Sequence, residues 1–474
     1  MRDNHPLPIS LVPTPTRQFN RAFDQRQSNR QSTLPALKLV RSTDRDDAAP
    51  AAPPPGTEPP RFASRALIYK QDPTVEEIGI RKILLNGAFQ EGPRSARIEV
   101  RGVSPVAPNA MNDFIQAPGT EGFDTVHTFS IVHEALAMCQ RTLGKPIRWQ
   151  WNGGGDSTPI EVFPRAGETM NAFYSRDEQC LKFFFFEAPG PTPATVFTCR
   201  SFDIVAHEAG HAILDSLQPD WLDADADPQC GALHEAFGDL IAIFLALSQS
   251  DQVEALIVQT KGDLHNKTFL SDLAEEFGLA LGRDNGLRNA DNDKRMSEVS
   301  SEVHDLSQVF TGGIYDVLAD AFELERGLGR DTEAQTLMRV SQTIFSLVLE
   351  AFRSAPERNA SFADVVSGMA ALCPKEGQGP GYRRAILNQF ARREVIDVKA
   401  AAGNKKGASI ASVRHAHLGV KANGLQDRSG CCGTLRLREY SAADRAFAGE
   451  VKALADGLGG RKATAGGTQA EAAE

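Results

Sequence analysis

His207, Glu208 and His211 form a His-Glu-x-x-His motif, and this spacing suits a helix rather than a strand. Residues i and i+4 lie on one face of an α-helix, so the two imidazoles can reach a single metal ion. Glu208 lies one step round the helix, where a general base that takes a proton from a metal-activated water belongs. The apolar spacing around the motif predicts a helix over Phe202–Leu217.

A second apolar segment, residues 232–247, is also predicted to be helical and supplies a third candidate ligand, Glu235. Catalytic zinc usually takes three protein ligands and keeps a fourth position for water. Asp239 shares a helix face with Glu235 and can hydrogen-bond the second nitrogen of a ligand histidine. The two segments therefore predict one Zn²⁺ held by His207, His211 and Glu235. The alternative is a pair of core helices with hydrogen-bonded histidines, but buried charge is costly unless it is paired or bound to metal.

The metal motif and four further segments resemble the thermolysin family of zinc endopeptidases, a gluzincin family. A third histidine of the metzincin type is excluded, because Leu217 stands six residues after His211. The resemblance covers roughly residues 65 to 400, and its segments follow the family order. These are Asn171-Ala172-Phe173-Tyr174, the helix entry at 202–208, the third-ligand helix at 231–239, Gly286-Leu287-Arg288-Asn289, and residues 302–307 with Tyr315.

The resemblance implies roles for the residues at these positions. Glu208 would be the general base, and His304 would donate a hydrogen bond to the tetrahedral oxyanion, oriented by Glu298 or Glu302. Asn171 and the backbone of Ala172 would lie on an edge strand that pairs with an extended peptide. Arg288 would hold a substrate carbonyl just past the scissile bond. The family also implies a hydrophobic residue immediately after that bond.

The order of strand-like and helical segments predicts an α+β protein with two lobes. Residues 62–200 are predicted to form a β-rich N-terminal lobe with one helix, and residues 201–400 an all-helical C-terminal lobe that carries the zinc site. The resemblance implies a thermolysin-like arrangement with the active-site cleft between the lobes. Residues 1–61 are rich in proline and are predicted to be a disordered leader, and residues 401–474 a low-complexity, flexible tail.

Composition limits the partners and the compartment. The formal net charge is −10 and there is no basic cluster, which argues against binding to nucleic acid or to an anionic membrane. There is no run of 18 apolar residues and no signal-peptide core at the N-terminus, so we expect a cytoplasmic protein. The seven cysteines match no disulfide framework and are expected to be reduced. The expected partner is a peptide or protein substrate.

Two departures from the family pattern leave other functions open. No tyrosine lies between His211 and Glu235, where the family has an oxyanion donor, although the indole N–H of Trp221 could replace it. The acidic calcium loops of the family are missing, so a calcium ion is possible but has no support. A non-catalytic zinc-containing peptide-binding protein is one alternative, which the retention of Glu208 disfavours. An amide hydrolase with one dedicated substrate is the other.

Overall fold

The computed structural model describes residues 63–75, 78–153, 158–188, 194–223, 226–282 and 286–397. These ranges contain both helices and strands, so the protein is α+β. The predicted leader, residues 1–61, and the predicted tail, residues 401–474, lie outside the described residues.

Most strands precede residue 200. Strands β1 and β2 form an antiparallel hairpin, and β7 and β8 form another. A four-stranded sheet has the spatial order β3-β4-β6-β5, in which only the β5–β6 pair is antiparallel. Strand β5 lies at the edge of that sheet. The bounds are β1 Ala63–Tyr69, β2 Ile80–Asn86, β3 Ile98–Val100, β4 Ile160–Phe163, β5 Ala172–Ser175, β6 Cys180–Phe183, β7 Phe185–Glu187 and β8 Thr195–Phe197.

The described residues from 202 to 397 are predominantly helical, after one long helix, α1, in the strand-rich part. The only strands described in this later part are β9 Asp272–Leu273 and β10 Arg288–Asn289, which pair antiparallel. Helix α2 packs on α3, and α3 packs on α6. The bounds are α1 Glu121–Leu143, α2 Phe202–Leu217, α3 Pro228–Leu247, α4 Ser250–Thr260, α5 Glu275–Ala280, α6 Val303–Arg326, α7 Glu333–Ser354, α8 Phe362–Leu372 and α9 Gly379–Arg392.

The main hydrophobic core takes side chains from almost every element between β1 and α9. Helix α3 lies at its centre, and all of its residues from Cys230 to Leu247 are buried. Among the described residues, α3 is the one helix long and apolar enough to cross a membrane, and its apolar stretch is buried inside the protein. A helix that is apolar on all sides is buried either in a membrane or in the core of a protein, and α3 is buried in the core.

The alternating apolar residues at positions 147–151 are typical of a strand and predict one, but the structure has no strand there. A 3₁₀ turn, Gln150–Asn152, occupies the end of this segment, and the residues before it belong to no strand. The amide of Ile147 donates to the side chain of Gln140 at 3.0 Å, and the indole of Trp149 donates to the carbonyl of Arg97 at 2.7 Å. The alternating apolar residues therefore bury side chains without a partner strand.

Candidate metal centre and active site

Helix α2 brings three potential metal ligands to one place. Its N-cap is Ser201, whose hydroxyl accepts a hydrogen bond from the amide of Ile204 at 3.2 Å. One turn further along, ligand atoms of His207, Glu208 and His211 lie within 4.8 Å of one another, and all three side chains are buried. A buried group of this composition requires either mutual hydrogen bonds or a cation.

Glu235 on α3 completes this group. Its carboxylate oxygens lie 3.4 Å from Nε2 of His207 and 3.6 Å from Nε2 of His211. Ligands held at 2.0–2.1 Å in a tetrahedral zinc site are about 3.3–3.4 Å apart. The two nitrogens and the carboxylate of this chain therefore fit the ligand chemistry of Zn²⁺, and the two printed distances are close to the separation in such a site.

The two helices approach so closely at the site because both carry glycine there. A Cβ added to Gly210 would lie 2.9 Å from the Cα of Gly238. A Cβ added to Gly238 would lie 2.6 Å from Nδ1 of His207 and 2.8 Å from Cγ of the same ring. The His207 imidazole therefore fits only because Gly238 has no side chain.

Gly238→Ala is expected to displace the His207 ring and weaken zinc binding. A misplaced ligand ring is expected to lower the zinc affinity by roughly 10- to 100-fold. That is the loss seen when a residue that orients a metal ligand is mutated. Zinc affinity is measured by competition with a chromophoric chelator. Gly327→Ala is the matched control, because its Cβ would meet the nearest atom at an ordinary 3.5 Å. Equal zinc affinity in the Gly238 variant and the control would contradict this account.

A carboxylate and an arginine support the His207 ring from the side opposite the ligand nitrogen. Oδ1 of Asp239 lies 2.9 Å from Nδ1 of His207, and Arg288 donates to the same carboxylate through Nε and Nη2, at 3.1 and 2.7 Å. Burial opposes ionisation of Asp239, but Arg288 and His207 outweigh it and lower its pKa. Burial also opposes the charge on His207, yet Asp239 and Glu235 raise its pKa to about 9. A metal ion would have to displace that proton, because ligand imidazoles bind metal in the neutral form.

His211 has a different neighbour, His234, which the sequence did not single out as a site residue. The two Nδ1 atoms are 3.4 Å apart and the rings stack with centroids 5.6 Å apart. Burial lowers the pKa of His234 to about 3, so its ring is neutral and can accept a hydrogen bond from His211. The only signal in the sequence was its position directly before Glu235.

His304 approaches the group from the first turn of α6. Its Nε2 lies 3.5 Å from the carboxylate of Glu235, and its Nδ1 lies 2.5 Å from Oε1 of Glu302. Glu302 is also the N-cap of α6. Burial opposes protonation of His304, but Glu235 and Glu302 together raise its pKa. Of the two predicted orienting residues, Glu302 contacts the ring, whereas Glu298 accepts from the amide of Arg295.

Strand β5 begins at Ala172, and no described strand pairs with its outer edge. The side chain of Asn171 accepts from the amide of Ala172 at 2.9 Å. Buried Asp215 on α2 accepts from the hydroxyl of Tyr174 at 2.6 Å and from the guanidinium of Arg176. These hydrogen bonds fix the edge strand to the helix that carries the metal motif.

Trp221, which could have replaced the missing oxyanion donor, is engaged elsewhere in the structure. Its indole N–H donates to the carbonyl of Pro356 at 3.0 Å, and the side chain is 1% exposed. Tyr315 is likewise engaged elsewhere, since its hydroxyl donates to the carbonyl of Leu264 at 2.8 Å. His304 is therefore the one predicted oxyanion donor whose ring reaches the group around Glu235 in the described part of the chain.

No protein-family model and no curated protein sequence matches the chain. Among solved structures, the chain is similar to the precursor of protealysin, a metalloproteinase from Serratia proteamaculans. The match has 12% sequence identity and a TM-score of 0.39, and it covers 65% of this chain and 87% of that chain. The roles assigned below therefore rest on the geometry of the site.

Proposed function

We propose that the chain is a zinc-dependent endopeptidase with a thermolysin-like, two-lobed architecture. The observation that carries this proposal is the convergence of the two Nε2 atoms and the Glu235 carboxylate, at 3.4 and 3.6 Å, next to a fourth buried group, Glu208. A purely structural zinc site is closed by four protein ligands and needs no additional carboxylate beside them. Three ligands with an adjacent base are instead the composition of a hydrolytic site.

His207, His211 and Glu235 would hold the zinc ion. When bound, zinc would supply a Lewis acid that polarises the scissile carbonyl and lowers the pKa of water to about 7. Asp239 and His234 would fix the orientation of the two ligand rings, because each contacts the ring nitrogen that faces away from Glu235.

Glu208 acts as the general base and then as the general acid. It takes a proton from the attacking water as the water oxygen bonds to the carbonyl carbon, and it passes that proton to the leaving nitrogen as the C–N bond breaks. Its side chain is only 3% exposed, so bulk water does not compete for the transferred proton. Burial also strengthens its interaction with the reacting atoms.

His304 stabilises the negative charge that develops on the carbonyl oxygen. Glu302 accepts from one ring nitrogen, and the carboxylates on both sides of the ring favour its protonated form. In that form Nε2 also carries a proton that it can donate to the oxyanion. One such donor typically contributes about 3–4 kcal/mol of barrier lowering.

The peptide would bind as an additional strand along β5, using the backbone of Asn171 and Ala172. Arg288 donates to Asp239 and lines the cavity beside Glu208, where it would hold the carbonyl of the residue after the scissile bond. Its anchoring by a buried carboxylate reduces the loss of side-chain entropy on binding. A peptide or protein is therefore the proposed partner.

A non-catalytic zinc-containing peptide-binding protein is the second candidate. The hydrogen bond from Trp221 to Pro356 favours it, because it leaves His304 as the only named oxyanion donor. Glu208 argues against it, since peptide binding needs no buried base beside a metal.

Digestion of an unfolded protein distinguishes the two. The zinc-loaded chain is incubated with reduced casein, and new termini are identified by mass spectrometry. The endopeptidase proposal expects internal cleavages that stop when a chelator is added. Intact peptides that co-purify with the zinc-loaded chain would support the binding protein instead. An absence of both cleavage and binding would contradict both proposals and leave an amide hydrolase with one dedicated substrate.

A further inference from the structure

We infer that Phe277 restricts the substrate residue after the scissile bond to a small side chain, namely glycine, alanine or serine. This inference rests on the proposed peptidase function, and it adds a limit on size to the hydrophobic residue that the family resemblance implies. It depends on the size of one cavity and on the rigidity of the wall that closes it.

The cavity lies directly beside Glu208. Arg288 and Ala172 also line it, so a peptide that pairs with β5 would direct a side chain into it. Its apolar wall includes Ile204, Leu287, Ala274 and Phe277. Because Arg288 is the residue proposed to hold the carbonyl just past the scissile bond, the cavity would receive the side chain of that same residue.

The cavity volume is about 30 Å³. An apolar cavity of about 150 Å³ holds benzene, which has six non-hydrogen atoms, so a cavity of this smaller volume has room for about one or two. The side chains of alanine and serine have one and two such atoms, whereas those of leucine and phenylalanine have four and seven. A large side chain could enter only if the wall moved.

Two buried carboxylates hold that wall in place. Phe277 lies on helix α5, and Ala274 is the N-cap of that helix. Oδ2 of Asp203 accepts from the amide of Ala274 at 3.2 Å, and Oδ2 of Asp72 accepts from the amide of Glu276 at 2.9 Å. Ala274 has φ of 54°, a left-handed conformation that a non-glycine residue keeps only when its surroundings impose it.

Packing fixes the Phe277 ring as well. It meets the ring of Phe186 edge-on, with centroids 5.2 Å apart, and it is only 6% exposed. The next residue, Gly278, lies so close to Gly286 that a Cβ there would fall 2.1 Å from the carbonyl carbon of Gly286. The helix therefore has no room to move toward that loop, and the Phe277 side chain sets the depth of the cavity.

The test compares cleavage preferences in a peptide library that varies one position, with the residue at each new N-terminus read by mass spectrometry. The wild type should produce N-terminal glycine, alanine and serine, and should cleave an alanine peptide roughly 10- to 200-fold faster in kcat/KM than its phenylalanine counterpart. Phe277→Ala should lower this ratio at least roughly tenfold by admitting large residues. Phe277→Leu should also lower this ratio, but by a smaller factor. It replaces Phe277→Ala in the test if the alanine variant does not fold.

Leu279→Ala is the matched control, because Leu279 is on the same helix but is 53% exposed. It should keep the wild-type ratio. The inference is overturned if the wild type releases leucine or phenylalanine termini as readily as alanine, or if both Phe277 variants keep the wild-type ratio. Either result leaves the peptidase proposal intact. If no peptide is cleaved at all, the proposed function fails and this inference fails with it.

Discussion

Glu208→Gln is expected to bind zinc as the wild type does and to lose about 10²- to 10⁴-fold in kcat. Glutamine has nearly the same size and fits the same buried position, but it cannot take a proton from water or return one to the leaving nitrogen. The zinc ligands His207, His211 and Glu235 are untouched. The loss should therefore appear in kcat and not in metal content.

Both quantities are measured on one preparation, kcat with a synthetic peptide and zinc by plasma mass spectrometry. Glu254→Gln is the control, because Glu254 is an exposed residue of α4. It removes the same charge from the chain and should leave kcat unchanged. Turnover by the Glu208 variant at the rate of the control would mean that Glu208 is not the base.

His211→Ala is expected to abolish stoichiometric zinc in the purified protein. It removes one of the three zinc ligands. We therefore expect the zinc affinity to fall by more than the roughly 100-fold that is lost, at most, when a residue that orients a ligand is mutated. His211 is fully buried, so an equal fold must be verified by circular dichroism before the metal content is compared.

The control for this variant is His265→Ala. His265, Asp291 and Asp316 are the other group among the described residues whose ligand atoms could hold a metal ion. His265 is 54% exposed and forms an ion pair with Asp291 at 2.8 Å. The control should retain one zinc per chain. If the His265 variant loses zinc and the His211 variant retains it, the metal binds at His265, Asp291 and Asp316. That result would contradict the proposed zinc ligands.

Local sequence patterns were sufficient for the elements that carry the metal ligands. Helix α2 has the predicted bounds, Phe202–Leu217, and α3 starts at Pro228, four residues before the predicted start. These helices are long and strongly periodic, which is where spacing is most informative. The i, i+4 relation then brings His207 and His211 to one metal without any knowledge of the tertiary structure.

Features that depend on distant contacts could not be predicted. Trp221 donates to Pro356, 135 positions later, and nothing near Trp221 indicates that bond. Likewise, α5 has only six residues, and its position is set in part by Asp72, which lies 204 positions before Glu276. The contact between Gly210 and Gly238 could not be predicted either, because it depends on how closely α2 and α3 pack.

Peptide hydrolysis is expected to require one zinc ion held by His207, His211 and Glu235. The most direct test is to strip the wild-type chain of metal with a chelator, remove the chelator, and measure peptide hydrolysis as zinc is returned in fractions of an equivalent. Hydrolysis is expected to rise from the background in proportion to zinc and to stop rising at one equivalent per chain. Full hydrolysis by the stripped chain, or none at one bound equivalent of zinc, would contradict this expectation.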